Sequence, residues 1–399
     1  MWENASLIVG KPLMAEVFCL WRNRPRLDKY AANCYTFVMK LLIFQKKSNR
    51  ISWKLELAAF LCLVLALWIF CSFFTKLFLP KRHHLGATWD MYALEEQDSV
   101  DVLFFGSSLV YCDVVPAVIY EESEIPCYVM AGPAQTLPVT YRYLRESCKT
   151  QSPTTVFIEC TGLVYGREKN SLKANLTYMP YDMERLIPTV ELTSGDTRKG
   201  LLFPLYAYHD RWDKLEPEDW QPYEPDPLAG YTVLDEVCPV QGFTSREVPE
   251  AVWNDPENYA RNLEYARKML DFCRKRDIRA VFYITPTLYR LDEDCQRRIA
   301  GDIAAMGGEL VDFCEVFDEL GLDLGTDFRD KQHLNALGAE KFSRYLGRNM
   351  TKWAQPRAAA DPDLWRSRAE HFAGLREKAA EKISETLAKE KENKGGEDS

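Results

Sequence analysis

From about residue 98 onward, short apolar runs alternate with amphipathic stretches. The runs that predict strands are VDVLFF (100–105), PCYVMA (126–131), TTVFIEC (154–160), IRAVFYIT (278–285) and ELVDF (309–313). The stretches that predict helices lie at about 116–120, 137–148, 257–276, 291–305 and 336–353. Strands that alternate with helices form βαβ units, in which the strands run parallel and helices cover both faces. The pattern therefore predicts an α/β domain over residues 90–353, built on a parallel sheet of about five strands.

One segment is apolar throughout. Leu57–Thr75 reads LAAFLCLVLALWIFCSFFT and carries no charge, and about 20 such residues cross the hydrocarbon core of a bilayer as a helix. We therefore expect a transmembrane helix over residues 55–79. The alternative is a cleaved signal peptide, but that needs small residues where Phe73, Phe74 and Phe78 stand.

Basic residues flank this segment unequally. Those before it are Lys40, Lys46, Lys47, Arg50 and Lys54, and those after it are Lys76, Lys81 and Arg82. Loops with more lysine and arginine tend to stay in the cytoplasm. The bias predicts a single-pass protein of the cell membrane with a cytoplasmic N-terminus and an extracytoplasmic domain.

Three regions depart from the alternating pattern. Residues 1–54 form the expected cytoplasmic segment, in which Met39 is an alternative start because MKLLIFQKKSNR leads into the apolar segment. Residues 162–250 are rich in tyrosine, tryptophan and proline, which predicts a long insertion too apolar to be disordered. Residues 354–399 are rich in alanine, glutamate and lysine, which predicts a solvated helical tail.

Charge and cysteine spacing exclude some classes of function. The net charge of -9 gives no overall attraction for nucleic acid, which binds to a basic face. The 12 cysteines form no matched CxxC pairs, and the five histidines are scattered, so the sequence predicts no metal site and no cofactor. Disulfides and buried free thiols both remain open for the cysteines after the apolar segment.

The first candidate for chemistry is Gly106-Ser107-Ser108, directly after the first predicted strand. A serine at a sharp strand-to-helix turn is exposed at the carboxyl edge of a parallel sheet, where neighbouring N–H groups can stabilise an oxyanion. The alternative is that Ser107 or Ser108 only caps the following helix. The motif alone does not decide between these interpretations.

The second candidate is Asp330-Lys331-Gln332-His333, just before the last predicted helix. A serine nucleophile needs a neutral imidazole to accept its proton, and the imidazole needs a carboxylate to fix its tautomer. His333 and Asp330 lie on one loop and can meet both needs. Asp330 could instead cap a surface turn, and Asp327 is the alternative acid.

A serine after the first strand and Asp-x-x-His before the last helix resemble the SGNH/GDSL hydrolase superfamily. The stretch DFRDKQHLNALGAEKFSRYL is similar to the final block of its membrane-anchored bacterial branch, which includes the teichoic-acid D-alanine transfer protein and alginate O-acetylation proteins. The resemblance implies a flavodoxin-like, three-layer α/β/α fold. It also implies Ser108 as nucleophile, His333 as base and Asp330 as acid.

The resemblance further implies that the N–H of Gly132 is an oxyanion donor. The asparagine that this family carries after the third strand is missing, because Glu159-Cys160-Thr161-Gly162 stands there. Gln135 is a substitute by its chemistry alone, and a plain loop glutamine is the alternative.

In the insertion, Tyr208, Arg211 and Trp212 are candidate substrate-binding residues. Aromatic rings stack on sugars and arginine binds acidic groups. The alternative is an accessory hydrophobic cluster, and His209 is a rival base.

The function implied is serine-dependent O-acyl transfer, of the acetyl or D-alanyl type, onto a cell-envelope polysaccharide or teichoic-acid-like polymer. An MBOAT-type membrane acyltransferase is the partner implied as acyl donor. Two alternatives stay open: an esterase that hydrolyses the same kind of ester, and a non-catalytic glycan-binding or scaffold subunit.

Overall fold

A sheet of five parallel strands forms the centre of the fold. The structure is a computed structural model that describes residues 53–164, 169–238, 244–246, 256–357 and 360–397. The strands are β1 (Val102–Gly106), β2 (Cys127–Ala131), β3 (Thr155–Glu159), β5 (Arg279–Ile284) and β7 (Glu309–Asp312), in the spatial order β2-β1-β3-β5-β7. The predicted α/β class and parallel five-stranded sheet are confirmed. A separate parallel pair, β4 (Thr244–Arg246) and β6 (Tyr289–Leu291), was not predicted.

Alternate residues of the strands belong to two different hydrophobic clusters. Leu103 and Phe105 of β1 share one cluster with residues of the helices that begin at Leu137 and Pro256. Val102 and Phe104 share the other with residues of the helices that begin at Pro116 and Ala336. Strands buried on both faces are continuous apolar runs, which explains why the strands were predictable.

The helices of the described residues are α1 (Trp53–Phe78), α2 (Trp89–Tyr92), α3 (Ser108–Tyr111), α4 (Pro116–Ser123), α5 (Leu137–Ser147), α6 (Lys169–Leu176), α7 (Met183–Leu192), α8 (Gly195–Leu202), α9 (Pro204–Tyr208), α10 (Pro256–Arg274), α11 (Glu293–Ala305), α12 (Phe317–Leu320), α13 (Ala336–Asn349) and α14 (Pro362–Glu397). Short 3₁₀ turns lie at Thr161–Leu163, His209–Asp213, Pro217–Trp220 and Met350–Lys352.

Helix α1 is long and apolar enough to cross a membrane, by length and composition. It has 26 residues and a mean hydropathy of 2.6 over its most apolar window, none of which is buried. At about 1.5 Å per residue it is roughly 39 Å long, which exceeds the hydrocarbon thickness of about 30 Å. The chain divides between Phe73 and Phe74 into two units, and the sheet belongs to the second. The proposed start at Met39 lies outside the described residues.

The insertion is helical over most of its described length. Helices α6 to α9 lie in it, and the Tyr143 hydroxyl of α5 donates to the Asn175 carbonyl of α6 at 2.7 Å. Arg142 and Arg145 of α5 pair with Glu184 of α7 at 3.2 and 2.8 Å. Further along the insertion, the Ala229 carbonyl accepts the N–H of Val129 in the edge strand β2 at 2.9 Å.

Helix α14 differs from the expected solvated tail. It is helical as predicted, but Trp365 and Phe372 are buried in the two clusters. The fully buried Arg368 pairs with Glu95 and donates to the Asp226 carbonyl at 3.0 Å. The charged composition hid these buried positions, because they recur along one face of a helix that is otherwise polar.

All ten cysteines in the described part of the chain are free thiols, and seven of them are buried. For the cysteines after the apolar segment, the structure therefore shows free thiols rather than disulfides.

Candidate active site

The Gly-Ser-Ser motif turns the chain from β1 into α3. Gly106 ends the strand beside β3, where a Cβ would lie 2.7 Å from the Glu159 Cβ and 2.5 Å from a Val110 methyl group. Ser107 is the N-cap of α3, and its buried hydroxyl accepts the Leu109 N–H at 3.4 Å. The capping interpretation therefore applies to Ser107. Ser108, the first residue of the helix, is partly exposed.

A closed loop presents His333 opposite this turn. Phe328 and Leu334 form an antiparallel bridge at the ends of the loop, and the Arg329 N–H donates to the His333 carbonyl at 3.0 Å. Directly after the loop, the Asn335 side chain caps α13 by accepting the N–H groups of Leu337 and Gly338. The loop is thus fastened both across its neck and to the helix that follows.

The structure brings Ser108, His333 and Asp330 together. The His333 Nε2 lies 2.8 Å from the Ser108 Oγ. The His333 Nδ1 lies 2.9 Å from each Asp330 carboxylate oxygen. With Nδ1 protonated towards Asp330, Nε2 is the acceptor for the serine proton, which is the arrangement of a serine-hydrolase triad.

The Asp330 carboxylate is held in its charged form. Burial would raise the pKa of this carboxyl, but hydrogen bonds from the His333 ring and from the N–H groups of Gln332 and His333 lower it to about 2. Those two N–H groups donate at 2.7 and 3.0 Å, and the Arg329 guanidinium donates at 3.2 Å. The alternative acid, Asp327, is buried in an ion pair with Lys341 at 2.6 Å.

A second carboxyl, on Asp113, lies beneath the triad and was not predicted. It is completely buried, and its two oxygens accept the Leu334 N–H and the Thr285 hydroxyl at 3.0 Å each. Burial raises the pKa of this carboxyl well above its usual range, and the two hydrogen bonds oppose that shift. Asp113 therefore links the segment after α3 to the residue that follows His333. The only signal in the sequence is a lone acid between apolar residues 109–112 and 114–115.

The expected oxyanion donors are engaged elsewhere. The Gly132 N–H donates to the Gly106 carbonyl at 3.2 Å, and the Gln135 amide donates to the Thr140 hydroxyl at 3.1 Å. The N–H of Ser108 stands at the first position of α3, where a helix provides no backbone partner. This N–H belongs to the same residue as the Ser108 hydroxyl, so it lies beside the candidate nucleophile.

Asn175 of α6 is a further residue that the sequence did not reveal. Its amide donates to the carbonyls of Pro133 and Ser171, at 2.9 Å each. Its Oδ1 is so close to Gly132 that a Cβ there would lie 1.8 Å away. The insertion therefore contacts the turn after β2, and only glycine fits at that point.

The candidate binding residues of the insertion contact the end of α1 and other residues of the insertion. Arg211 donates to the Phe78 carbonyl at 2.9 Å and pairs with Asp219 at 2.9 Å, and its expected role in binding an acidic group stays a prediction. Tyr208 is half-buried with the Lys173 ammonium over its ring. Trp212 is 51% exposed. The rival base His209 is exposed and its Nδ1 lies 3.0 Å from the Tyr206 carbonyl.

No sequence model of a known protein family matches the chain, and no curated protein matches it either. The assignment of chemistry to this site therefore depends on the residues and on their geometry.

Proposed function

We propose that this protein is a serine-dependent O-acyltransferase or esterase of the SGNH/GDSL type. The observation that carries the proposal is the hydrogen-bonded series Ser108–His333–Asp330, with 2.8 Å between the serine oxygen and the imidazole nitrogen. A partly exposed serine beside a base that a carboxylate orients is the arrangement that activates a hydroxyl for nucleophilic attack. The proposed arrangement of the domain is the three-layer α/β/α form of that superfamily.

The chemistry proceeds through an acyl ester on Ser108. The Ser108 Oγ attacks the carbonyl carbon of an ester, and His333 Nε2 takes the hydroxyl proton. The tetrahedral intermediate then collapses, the bond to the leaving oxygen breaks, and His333 returns the proton to that oxygen. In the second half, His333 deprotonates an acceptor hydroxyl, whose oxygen attacks the acyl-serine. The bond between the acyl carbon and the Ser108 Oγ then breaks, and His333 returns the proton to that oxygen. Asp330 stabilises the imidazolium throughout, a role worth about 10⁴ in rate in a well-studied protease triad.

The oxyanion needs more than one donor, because losing a single donor typically costs about 10²–10³ in rate. The Ser108 N–H is the first donor in this proposal. The second is the Gly132 N–H. It donates to the Gly106 carbonyl at 3.2 Å, and in this proposal it donates to the oxyanion as well.

The proposed location is the outer face of the cell membrane, with α1 as the anchor. An acceptor that belongs to the cell envelope, a polysaccharide or teichoic-acid-like polymer, fits such a location. In that case a membrane acyltransferase of the MBOAT type would supply the acyl group. A hydrolase for the same esters is the second candidate, because the same series of hydrogen bonds activates water equally well.

A fluorophosphonate probe tests the nucleophile directly. We expect the full chain to be labelled on Ser108 and the Ser108→Ala variant to stay unlabelled. Ser107→Ala is the matched control: it loses a helix cap worth about 1 kcal/mol but keeps the labelled serine. Labelling that survives Ser108→Ala and disappears in Ser107→Ala would show that the neighbouring serine is the nucleophile.

Product analysis separates transfer from hydrolysis. Ser108 is first acetylated with a small ester whose acetyl group is labelled. The acetyl-enzyme is then mixed either with water alone or with water and a polymer acceptor. Acetyl groups on the polymer support transferase activity, and free acetate at the same rate in both mixtures supports hydrolysis. A folded protein that forms no acyl-serine from the small ester would favour the non-catalytic alternative.

A further inference from the structure

The described part of the insertion carries an exposed aromatic surface. Phe203, Tyr206, Trp212 and Trp220 are 67%, 54%, 51% and 62% exposed, and we call these four residues the aromatic surface. Single exposed apolar residues are ordinary, but four large rings within eighteen residues indicate an interaction surface. The triad does not use them.

An arginine connects this surface to the end of the apolar helix. Arg211 donates to the carbonyl of Phe78, the last residue of α1, at 2.9 Å, and it holds Asp219 with two bonds at 3.2 and 2.9 Å. Trp212 follows Arg211 in the chain, and Trp220 follows Asp219. The ion pair that satisfies a terminal carbonyl of α1 is therefore flanked by two exposed indoles.

The segment after α1 is attached to the same region. The Arg82 N–H donates to the Tyr223 hydroxyl at 3.1 Å, and the Lys81 ammonium bonds to the Gln221 carbonyl and lies 4.9 Å from the centre of the Tyr223 ring. Lys81 and Arg82 belong to the basic group that follows the apolar run. The surface is thus continuous with basic and aromatic residues at the point where the helix ends.

We propose that the aromatic surface lies in the lipid–water interface of the membrane that α1 enters. Tryptophan and tyrosine concentrate at this depth, where the ring is among acyl chains and its polar edge meets water and headgroups. Phe78 stands at the end of a helix of membrane-crossing length, so residues bonded to its carbonyl are at that level. The inference depends on the membrane anchoring in the proposed function, but not on the acyl chemistry.

Brominated lipids test the inference on the full chain in lipid nanodiscs. Bromine is placed either near the glycerol end of the acyl chain or near its terminus, and it quenches tryptophan at the matching depth. A double variant, with Trp212→Phe and Trp220→Phe, keeps the surface aromatic. The emission of the wild type minus the emission of this variant gives the signal of Trp212 and Trp220. We expect the glycerol-end bromine to remove most of this difference and the chain-end bromine to remove much less.

Two further variants make failures distinguishable. Trp68→Phe isolates a tryptophan inside α1, whose emission the chain-end bromine should quench. Trp353→Phe is the control for the sheet domain, because the Trp353 carbonyl accepts the Thr155 hydroxyl at the start of β3, the opposite end of the strand from the site. One outcome would overturn the aromatic surface as a membrane contact. In that outcome, lipid bromine quenches Trp68, but only acrylamide in the aqueous phase quenches the signal of Trp212 and Trp220. Unquenched Trp68 would overturn the anchor and the inference with it.

Discussion

At the scale of single residues, a buried carboxyl outside the Ser108–His333–Asp330 series is bonded to the segment that carries His333. Asp113 holds the Leu334 N–H and the Thr285 hydroxyl at 3.0 Å each, and Leu334 follows His333. One of its oxygens therefore connects the segment after α3 to the residue that follows the imidazole. In the proposed chemistry, Asp113 is a positioning residue that acts through this loop.

We expect Asp113→Ala to lower kcat for a small acetyl ester by about 10²-fold, because displacement of a catalytic group by about 1 Å has an effect of that size. Alanine removes the oxygen that accepts the Leu334 N–H. Because substrate contacts are unchanged, KM should change little. Thr285→Val is the control, which removes one donor and leaves the bond to the His333 loop. Wild-type kcat in Asp113→Ala would show that the loop is held without this carboxyl.

The Asp330 pKa predicts how stability depends on pH. The pKa of this carboxyl is about 2 in the folded protein and about 3.9 in an unfolded chain. The unfolded state therefore binds the proton first as the pH falls, and the stabilisation by the carboxylate is complete above about pH 4 and is lost between about pH 4 and 2. The difference in free energy of unfolding between wild type and Asp330→Asn, measured by denaturant titration in detergent, should shrink across that window. A difference that stays constant with pH would contradict the assignment.

At the scale of elements, α13 and the triad loop share one anchor. The Asn335 side chain accepts two N–H groups of the helix and donates to the carbonyls of Thr326 and Glu236 at 2.7 and 3.2 Å. Losing a cap costs about 1 kcal/mol, and each of the two further hydrogen bonds contributes about 0.5–1.5 kcal/mol. The loop that carries His333 should therefore loosen when this side chain is removed.

Asn335→Ala should lower the free energy of unfolding by about 2–4 kcal/mol and lower kcat as well, since its loss frees the neck of the loop. The matched control is Asp292→Ala, which removes the cap of α11, where the side chain accepts the Cys295 N–H at 2.9 Å. That control should lose about 1 kcal/mol and keep its activity. Equal effects of both variants on activity would show that Asn335 does not hold the loop that carries His333.

The elements themselves were largely predictable, because their signals are local. Each of the five central strands starts and ends within two residues of its predicted apolar run. The two parts of the candidate site could be recognised because each is a short motif. One is Gly106-Ser107-Ser108, and the other is Asp330 with His333 three residues later.

The contacts that support those motifs were not predictable from local patterns. Asp113 reads as an isolated acid until folding brings Thr285 and Leu334 to it. Asn175 reads as one polar residue of an insertion until α6 packs on Gly132. The buried face of α14 is hidden by its charged composition. Each depends on contacts between residues distant in sequence, which no spacing within a segment reports.

At the scale of the whole molecule, the charges around α1 predict the side of the membrane on which the site lies. The basic residues before the helix outnumber those after it, which favours a cytoplasmic N-terminus. Reporter enzymes fused after residue 90 should therefore be active only when they require export. A reporter that is active in the cytoplasm would place the triad on the inner side and exclude a cell-envelope acceptor.

The short connection between α1 and the sheet has a consequence for how substrates are met. The Ala87 N–H bonds to the Ala131 carbonyl at the end of β2, and the chain from Phe78 to Ala87 reaches at most about 30 Å when fully extended. In the anchored molecule that we propose, this short tether keeps Ser108 near the bilayer. Encounters then depend on the number of acceptors per unit area of membrane rather than on their concentration in bulk solution. Acceptors attached to the same membrane diffuse in two dimensions with the enzyme, so they would be modified ahead of chemically identical chains that float free.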